Sequence, residues 1–369
     1  MHARRTVAAL AALTTIGLVG SAQAAYGAPE PGDNSGPGSG TRVVQTNIVS
    51  DIPGMATLTD PLLVNPWGMS FLPTSPLWTS NNGTSTATLF SGAPPAVPPA
   101  IVPLVVKIHG GPPTGQVANS TGSTTAFPVT GSLGTGLARF IFATLGGAIT
   151  AWTPAAEATD SVVVATTPGA AYTGLTLINT PAGPELLAAN FAQKRIDVFD
   201  SSFHLLSTHR LFRGVNMPKG FSPFNVQAIG NFVYVAYAKV DPATGRSVDG
   251  RGLGFVNRFT LDGKHRTRIA ARGELNGPWG LAQVPAGFGR LTGKLLIGNF
   301  GDGRIGVYDP NKKHFFGFLR GENGRPVQIE RLWALLPGTA TTGGTDAIWF
   351  SAGIGNEMHG LVGTFKAAH

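Results

Sequence analysis

Residues 295–309, LLIGNFGDGRIGVYD, repeat the pattern of residues 186–200, LLAANFAQKRIDVFD. Both run from an apolar segment through Asn-Phe into a short turn, then through a basic residue and Ile into an alternating segment that ends aromatic-Asp. Apolar runs on either side of a short turn are the pattern of a hairpin. Looser copies occupy 77–91, 140–153, 233–262 (with a long insertion) and 348–365, so the unit occurs six times. Openings precede the units: Pro66-Trp67-Gly68 and Pro278-Trp279-Gly280 are the clearest, with Leu332-Trp333-Ala334 and Pro223-Phe224-Asn225 as variants. Positions 225, 279 and 333 recur at a constant spacing of 54 residues. That period is slightly longer than the ~40–50 residues of known propeller blades and leaves room for loops. One such unit cannot bury its faces alone, but a ring of six can. The recurrence therefore predicts an all-β, six-bladed propeller over 41–366. A pair of β-sandwiches is the other fold this composition allows, but it gives no reason for a six-fold repeat.

The two ends predict how the ring closes. After Leu361-Val362-Gly363-Thr364-Phe365 only four residues remain, so the sixth unit lacks an outer strand. At the other end, 42–49 (RVVQTNIV) is a strand-like segment with no unit of its own. Placing 42–49 on the last blade would hide two open strand edges at once.

Composition agrees with strands and turns. Only 12% of the 369 residues are charged, and there are 51 Gly and 28 Pro. Helix surfaces need more Glu and Lys than that. Hydrophobic residues reach 42%, enough to build a core. The formal charge of +8 comes from scarce acids and includes no dense basic run, so a nucleic-acid partner is not expected. The absence of cysteine rules out disulfides, thiolate metal sites and Cys nucleophiles. Arg4 and Arg5, the uncharged stretch 6–20 and Ala22-Gln23-Ala24 form a secretory signal pattern over 1–24, with cleavage expected near Ala24 and export by the general or the twin-arginine route. Residues 25–40 read as a flexible Pro/Gly/Ser leader and 367–369 as a short tail. No segment of the mature chain is long and apolar enough for a membrane helix, and a monomer is expected.

The units resemble NHL-type propeller repeats, in which a Pro-x-Gly opening precedes a strand, a turn with a basic residue and an aromatic-Asp ending; residues 278–309 carry this best. The stretches 110–117, 190–200, 220–238, 298–309 and 352–363 are similar to a bacterial exported propeller family of uncharacterised function. The resemblance implies an NHL-like fold and an extracytoplasmic location. It implies no catalytic residues.

Candidate site residues follow from the repeat. Asn82, Asn190, Asn299 and Asn356 follow the second strand of their units, and such loops gather at one mouth of a propeller channel. Asn65, Asn225 and Asn276 lie at inner-strand openings on that face, with Asp302, Glu357 and His359 nearby. Asn190, Asn299, Asn356 and Glu357 could supply oxygens to a Ca²⁺ ion. The alternative is that the Asn side chains brace their own turns. Asn356-Glu357-Met358-His359 breaks the repeat, and Glu357 with His359 could relay protons. Trp67, Trp279 and Trp333 recur at openings, where they could stack on a ligand or pack between blades. Gly301-Asp302-Gly303-Arg304-Ile305-Gly306 matches a dinucleotide fingerprint in letters, but a strand rather than a helix should follow it, so it reads as a turn. Residues 94–103, PPAVPPAIVP, read as an extended surface loop in the first blade.

These features favour a binding or scaffold protein that uses the channel mouth, with an unknown protein, glycan or small molecule as ligand. The alternative is a metal-dependent hydrolase, lactonase or lyase with its site in the channel; a structural envelope role is a third reading.

Overall fold

The structure, a computed structural model, describes residues 41–93, 97–206, 211–214 and 216–368. The expected signal segment 1–24, the leader 25–40, positions 94–96 of the Pro-rich segment and His369 lie outside them.

Six antiparallel sheets follow one another along the chain, and successive inner strands pack side by side. Blade 1 is Pro66–Ser70, Leu77–Asn81, Thr86–Ala93 and Val97–Lys107. Blade 2 is Pro113–Ala118, Phe140–Thr144, Ala148–Trp152 and Val162–Thr166, with a small hairpin (Pro128–Thr130, Thr135–Leu137) inserted after its inner strand. Blade 3 is Tyr172–Thr180, Gly183–Asn190, Arg195–Phe199 and Leu205–Leu206. Blade 4 is Phe221–Ile229, Phe232–Lys239, Gly254–Thr260 and Arg266–Ala271. Blade 5 is Pro278–Gln283, Leu295–Asn299, Ile305–Asp309 and His314–Phe318. Blade 6 is Leu332–Pro337, Ala347–Ala352 and Leu361–Ala367, completed by Arg42–Ser50. This is the predicted six-bladed propeller. The second and third strands of every blade coincide with the six repeated units.

The ring closes as the ends predict. Arg42–Ser50 lies antiparallel to Leu361–Ala367, from Val43 opposite Ala367 to Ser50 opposite Leu361. Val43, Ile48 and Val49 are buried there. Ala367, expected in the tail, is the last paired residue. The Pro-rich segment departs from its expected loop: Val97–Lys107 is the outer strand of blade 1, paired with Thr86–Ala93. An edge strand offers one side to solvent, so prolines without N–H groups are tolerated there. The expected turn at 301–304 is present, and Ile305–Asp309 follows it as a strand.

Glycine in the inner strands sets the width of the channel. A side chain on Gly115 would collide with the backbone nitrogen of Leu175 in the next blade, and one on Gly174 with the Asn225 side chain. Neighbouring inner strands thus meet almost backbone to backbone, which only a residue without Cβ permits. Among the described residues no helix is long and apolar enough to cross a membrane.

Candidate functional site at the channel mouth

Each blade sends one large apolar side chain to the channel axis. Trp67, Phe224 and Trp333 come from the inner strands of blades 1, 4 and 6. Leu145, Phe191 and Phe300 each follow the second strand of blades 2, 3 and 5. Trp67 stacks on Trp333 with ring centroids 3.5 Å apart, Phe300 stands 4.2 Å from Trp333, and Phe191 stands 5.1 Å from Phe224. These six side chains wall a cavity of about 130 Å³. The same cavity also touches Asn82, Ala171, Arg246 and Glu357.

A polar vestibule of about 460 Å³ lies against it and shares Asn82, Arg246, Ser247, Phe300 and Glu357. Its cover is the insertion of blade 4, residues 240–253, which reaches blade 6 through two ion pairs. Arg246 donates to Glu357 at 2.5 Å, and Arg331 donates to Asp249 at 2.5 Å. Arg331 also donates to Asn356 at 3.0 Å and lies 4.7 Å over the Phe300 ring. The second Glu357 oxygen accepts from Asn65 Nδ2 at 3.2 Å, and Asn65 Oδ1 accepts from the Trp333 indole at 2.8 Å. A continuous chain of contacts therefore links the cover to the aromatic floor. Asn356 and Glu357 both have positive φ, 55° and 72°. Two consecutive non-glycine residues in that region are costly and persist only where surroundings hold them. Here Glu330 does so by accepting from the backbone N–H groups of Gly355 and Asn356.

The expected site residues divide into separate groups. Asn82, Asn356 and Glu357 meet in the vestibule, with Asn82 Nδ2 donating to the Pro113 carbonyl at 3.0 Å. Asn190 does not reach it: its amide donates to Asp197 at 2.7 Å and its oxygen accepts from Gln193 N–H. Asn299 accepts from Asn276 N–H and donates to the Glu274 carbonyl. Asn225 and Trp279 lie deeper, around a void of about 20 Å³, with Asn225 donating to the Trp279 carbonyl. The Trp279 indole donates to Thr173 O at 2.9 Å, and its ring packs edge-on to Trp67 and Trp333. Asp302 holds its own turn by accepting from Arg304 N–H, and burial raises its carboxyl pKa. His359 turns to Asp51, at 2.7 Å, while Glu357 turns to Arg246 and Asn65, so the two do not face one another as a proton relay.

The donor set does not fit the Ca²⁺ ring considered from sequence. The side-chain oxygens of Asn190 and Asn299 are committed to backbone N–H groups, and both Glu357 oxygens are committed to Arg246 and Asn65. Among the described residues no three His, Asp or Glu side chains stand together as metal ligands.

Comparison with known proteins places the chain. An uncharacterised protein of Acanthamoeba polyphaga mimivirus is 31% identical over 325 residues, covering 86% of this chain and 78% of the relative. A second uncharacterised mimivirus protein is 31% identical over 326 residues, covering 86% and 84%. The chain belongs to the family of these mimivirus proteins. These relatives are uncharacterised and viral, so the bacterial membership drawn from the resemblance is not shown. No protein-family model matches, so NHL-type repeats are not established for the family. Among solved structures, a protein of unknown function from Bacteroides thetaiotaomicron aligns with TM-score 0.53 and 10% identity over 89% of this chain and 76% of that one. Virginiamycin B lyase from Staphylococcus aureus aligns with TM-score 0.44 and 11% identity, over 88% and 99%. At such identities the likeness concerns the fold alone.

Of the floor, the sequence repeat points to Trp67 and Trp333 but not to Leu145, Phe191, Phe224 or Phe300. The Asn-Phe pairs 190–191 and 299–300 were visible in the repeat, but the chemistry was sought in the Asn. Asn81, not Asn82, ends its strand as Asn190 and Asn299 do; it is buried and hydrogen-bonded to Thr86 and Thr88. Arg246 and Arg331 carried no signal, because their partners lie 111 and 82 residues away.

Proposed function

We propose that the protein binds a small molecule at the channel mouth, through one aromatic or apolar ring seated on the Trp67–Phe224–Phe300–Trp333 floor. The observation that carries this reading is the 130 Å³ cavity, walled by an apolar side chain from every blade and opening beneath the Arg246–Glu357 pair. An engineered apolar cavity of similar size, about 150 Å³, stays dry and takes up benzene. Ligand sites commonly combine such walls with a few polar groups that fix orientation. Arg246, Asn82 and Ser247 supply those groups at the rim. The tied carboxylates and turned-away His359 support binding over catalysis. An exported setting, with the protein secreted after cleavage near Ala24, remains part of the proposal and is tested by sequencing the mature N-terminus.

The test of the site is a titration of intrinsic Trp fluorescence with phenol, indole and glucose, on the parent chain and on Ala171→Leu, which places a larger side chain in the cavity. Saturable quenching by phenol or indole that Ala171→Leu weakens at least tenfold supports the reading. No saturable change with any of the three, or a response that Ala171→Leu leaves intact, overturns it.

A further inference from the structure

A second cavity, of about 490 Å³, lies between blades 3 and 4, away from the six-residue floor. Its walls hold Lys194 and Arg195 from the blade 3 hairpin, Phe212 and Arg213 from the segment entering blade 4, and Phe221 and Tyr237 from blade 4 itself. Among the described residues three cations line it and no carboxylate does. The Arg195 Nε is taken by Asp197 at 2.5 Å, and Asp197 also accepts from Asn190 and Tyr172. The Nη groups of Arg195 meet no carboxylate among the described residues. Lys194 and Arg213 make no ion pair with any described residue. Two more cations flank the walls: Lys239 sits 5.4 Å over the Phe221 ring, and Arg268 Nη2 is 3.4 Å from Met217 Sδ.

Buried polar groups stand in the wall behind these charges. The Tyr237 hydroxyl and the Asn257 amide are buried beside one another, and beyond the contact between them neither side chain has a polar partner among the described residues. Buried polar atoms without partners are rare and costly, so they mark places where something else completes the structure. Gly214 covers that hydroxyl: a Cβ there would stand 3.3 Å from it and collide with Met217.

Clustered cations repel one another, and an anion removes that repulsion while gaining charge-assisted hydrogen bonds. Phe212, Phe221 and Tyr237 give the same cavity aromatic walls. We propose that this cavity is a second binding site, for a small anion carrying an aromatic ring, with the phosphate or carboxylate held by Lys194, Arg195 and Arg213 and the ring against Phe212 and Phe221. The volume lies within the usual ~300–1,000 Å³ of small-ligand sites.

Isothermal titration of the full chain with phenyl phosphate, benzoate, phenol and inorganic phosphate tests the site and identifies the anion. Phenyl phosphate or benzoate should bind both the parent and Ala171→Leu, whereas phenol, which the parent takes at the mouth, should not bind Ala171→Leu. The affinity for the aromatic anion should fall several-fold as salt rises from about 50 to about 300 mM. A Lys194→Gln/Arg213→Gln double variant, which removes exposed groups and should melt as the parent does, is expected to bind at least tenfold more weakly. The mouth variant Ala171→Leu should leave the affinity unchanged, so the two sites are scored independently. No binding of either aromatic anion, equal binding by the double variant, or loss caused by Ala171→Leu overturns the proposal.

Discussion

Asp309 shows how a single residue ties stability to pH. Lys294 Nζ lies 2.9 Å from its carboxylate, and this hydrogen bond, with backbone N–H groups of Lys312 and Asn311, pulls the pKa down from 3.8 to about 2. A carboxyl depressed in the folded state adds stability above its unfolded pKa and loses it as pH falls through the folded value. The contribution, ~1–2 kcal/mol, should therefore be complete above about pH 4 and fade toward pH 2. Denaturant melts of the parent and Asp309→Asn should differ by that amount at pH 6 and converge near pH 2; a constant difference would refute the assignment. Asn65 is the other residue with a large expected effect. It joins Trp333 to Glu357 at φ 48°, so Asn65→Ala loses two hydrogen bonds and adds backbone strain. It should cost roughly 1–3 kcal/mol, and Asn65→Gly somewhat less because glycine accepts that φ. If Gly is the worse of the two in thermal melts, backbone strain is not part of the cost. At this scale the sequence spoke unevenly. The repeated Asn residues were plain, but whether an amide braces a turn or faces a channel depends on partners such as Asp197 or Glu274, which spacing does not reveal.

Strands and their order were the legible part. Alternation and the six-fold recurrence located the hairpins, and the missing outer strand of blade 6 pointed to 42–49, because an unpaired edge has only a few remedies. The Pro-rich strand was misread because proline weighs against strands in general, yet at a sheet edge its missing N–H faces solvent. The contribution of the closing strand is directly testable. A chain starting after Ser50 loses the burial of Val43, Ile48 and Val49 and bares the edge of 361–367. It should melt roughly 10 °C lower or fail to fold; an unchanged melt would mean the ring does not depend on it. The blade 4 insertion behaves differently. Each of its ion pairs joins an exposed partner to a mostly buried one, and a pair open to solvent on one side contributes about 1 kcal/mol. Arg246→Gln should leave stability nearly unchanged while raising acrylamide quenching of the channel tryptophans. Equal quenching in the two proteins would show that residues 240–253 do not cover the mouth.

Across the whole molecule, six blades converge on one axis and the axis is plugged by side chains rather than left as a pore. Repetition is legible because each blade repeats a local pattern. The floor is legible only in its tryptophans, Trp67 and Trp333, because the rest is drawn from a non-tryptophan inner-strand position, Phe224, and from positions after the second strand in three other blades. With both Glu357 oxygens bonded to Arg246 and Asn65, the aromatic cavity is the feature on which the proposed function at the mouth turns. The most direct test is anomalous diffraction from a crystal of the protein soaked in 4-bromophenol. A bromine peak inside the ring formed by Trp67, Phe224, Phe300 and Trp333, abolished in Ala171→Leu crystals, is the predicted result. Well-diffracting crystals with no peak there, or with peaks only outside the channel, would contradict a ring-binding site at the mouth.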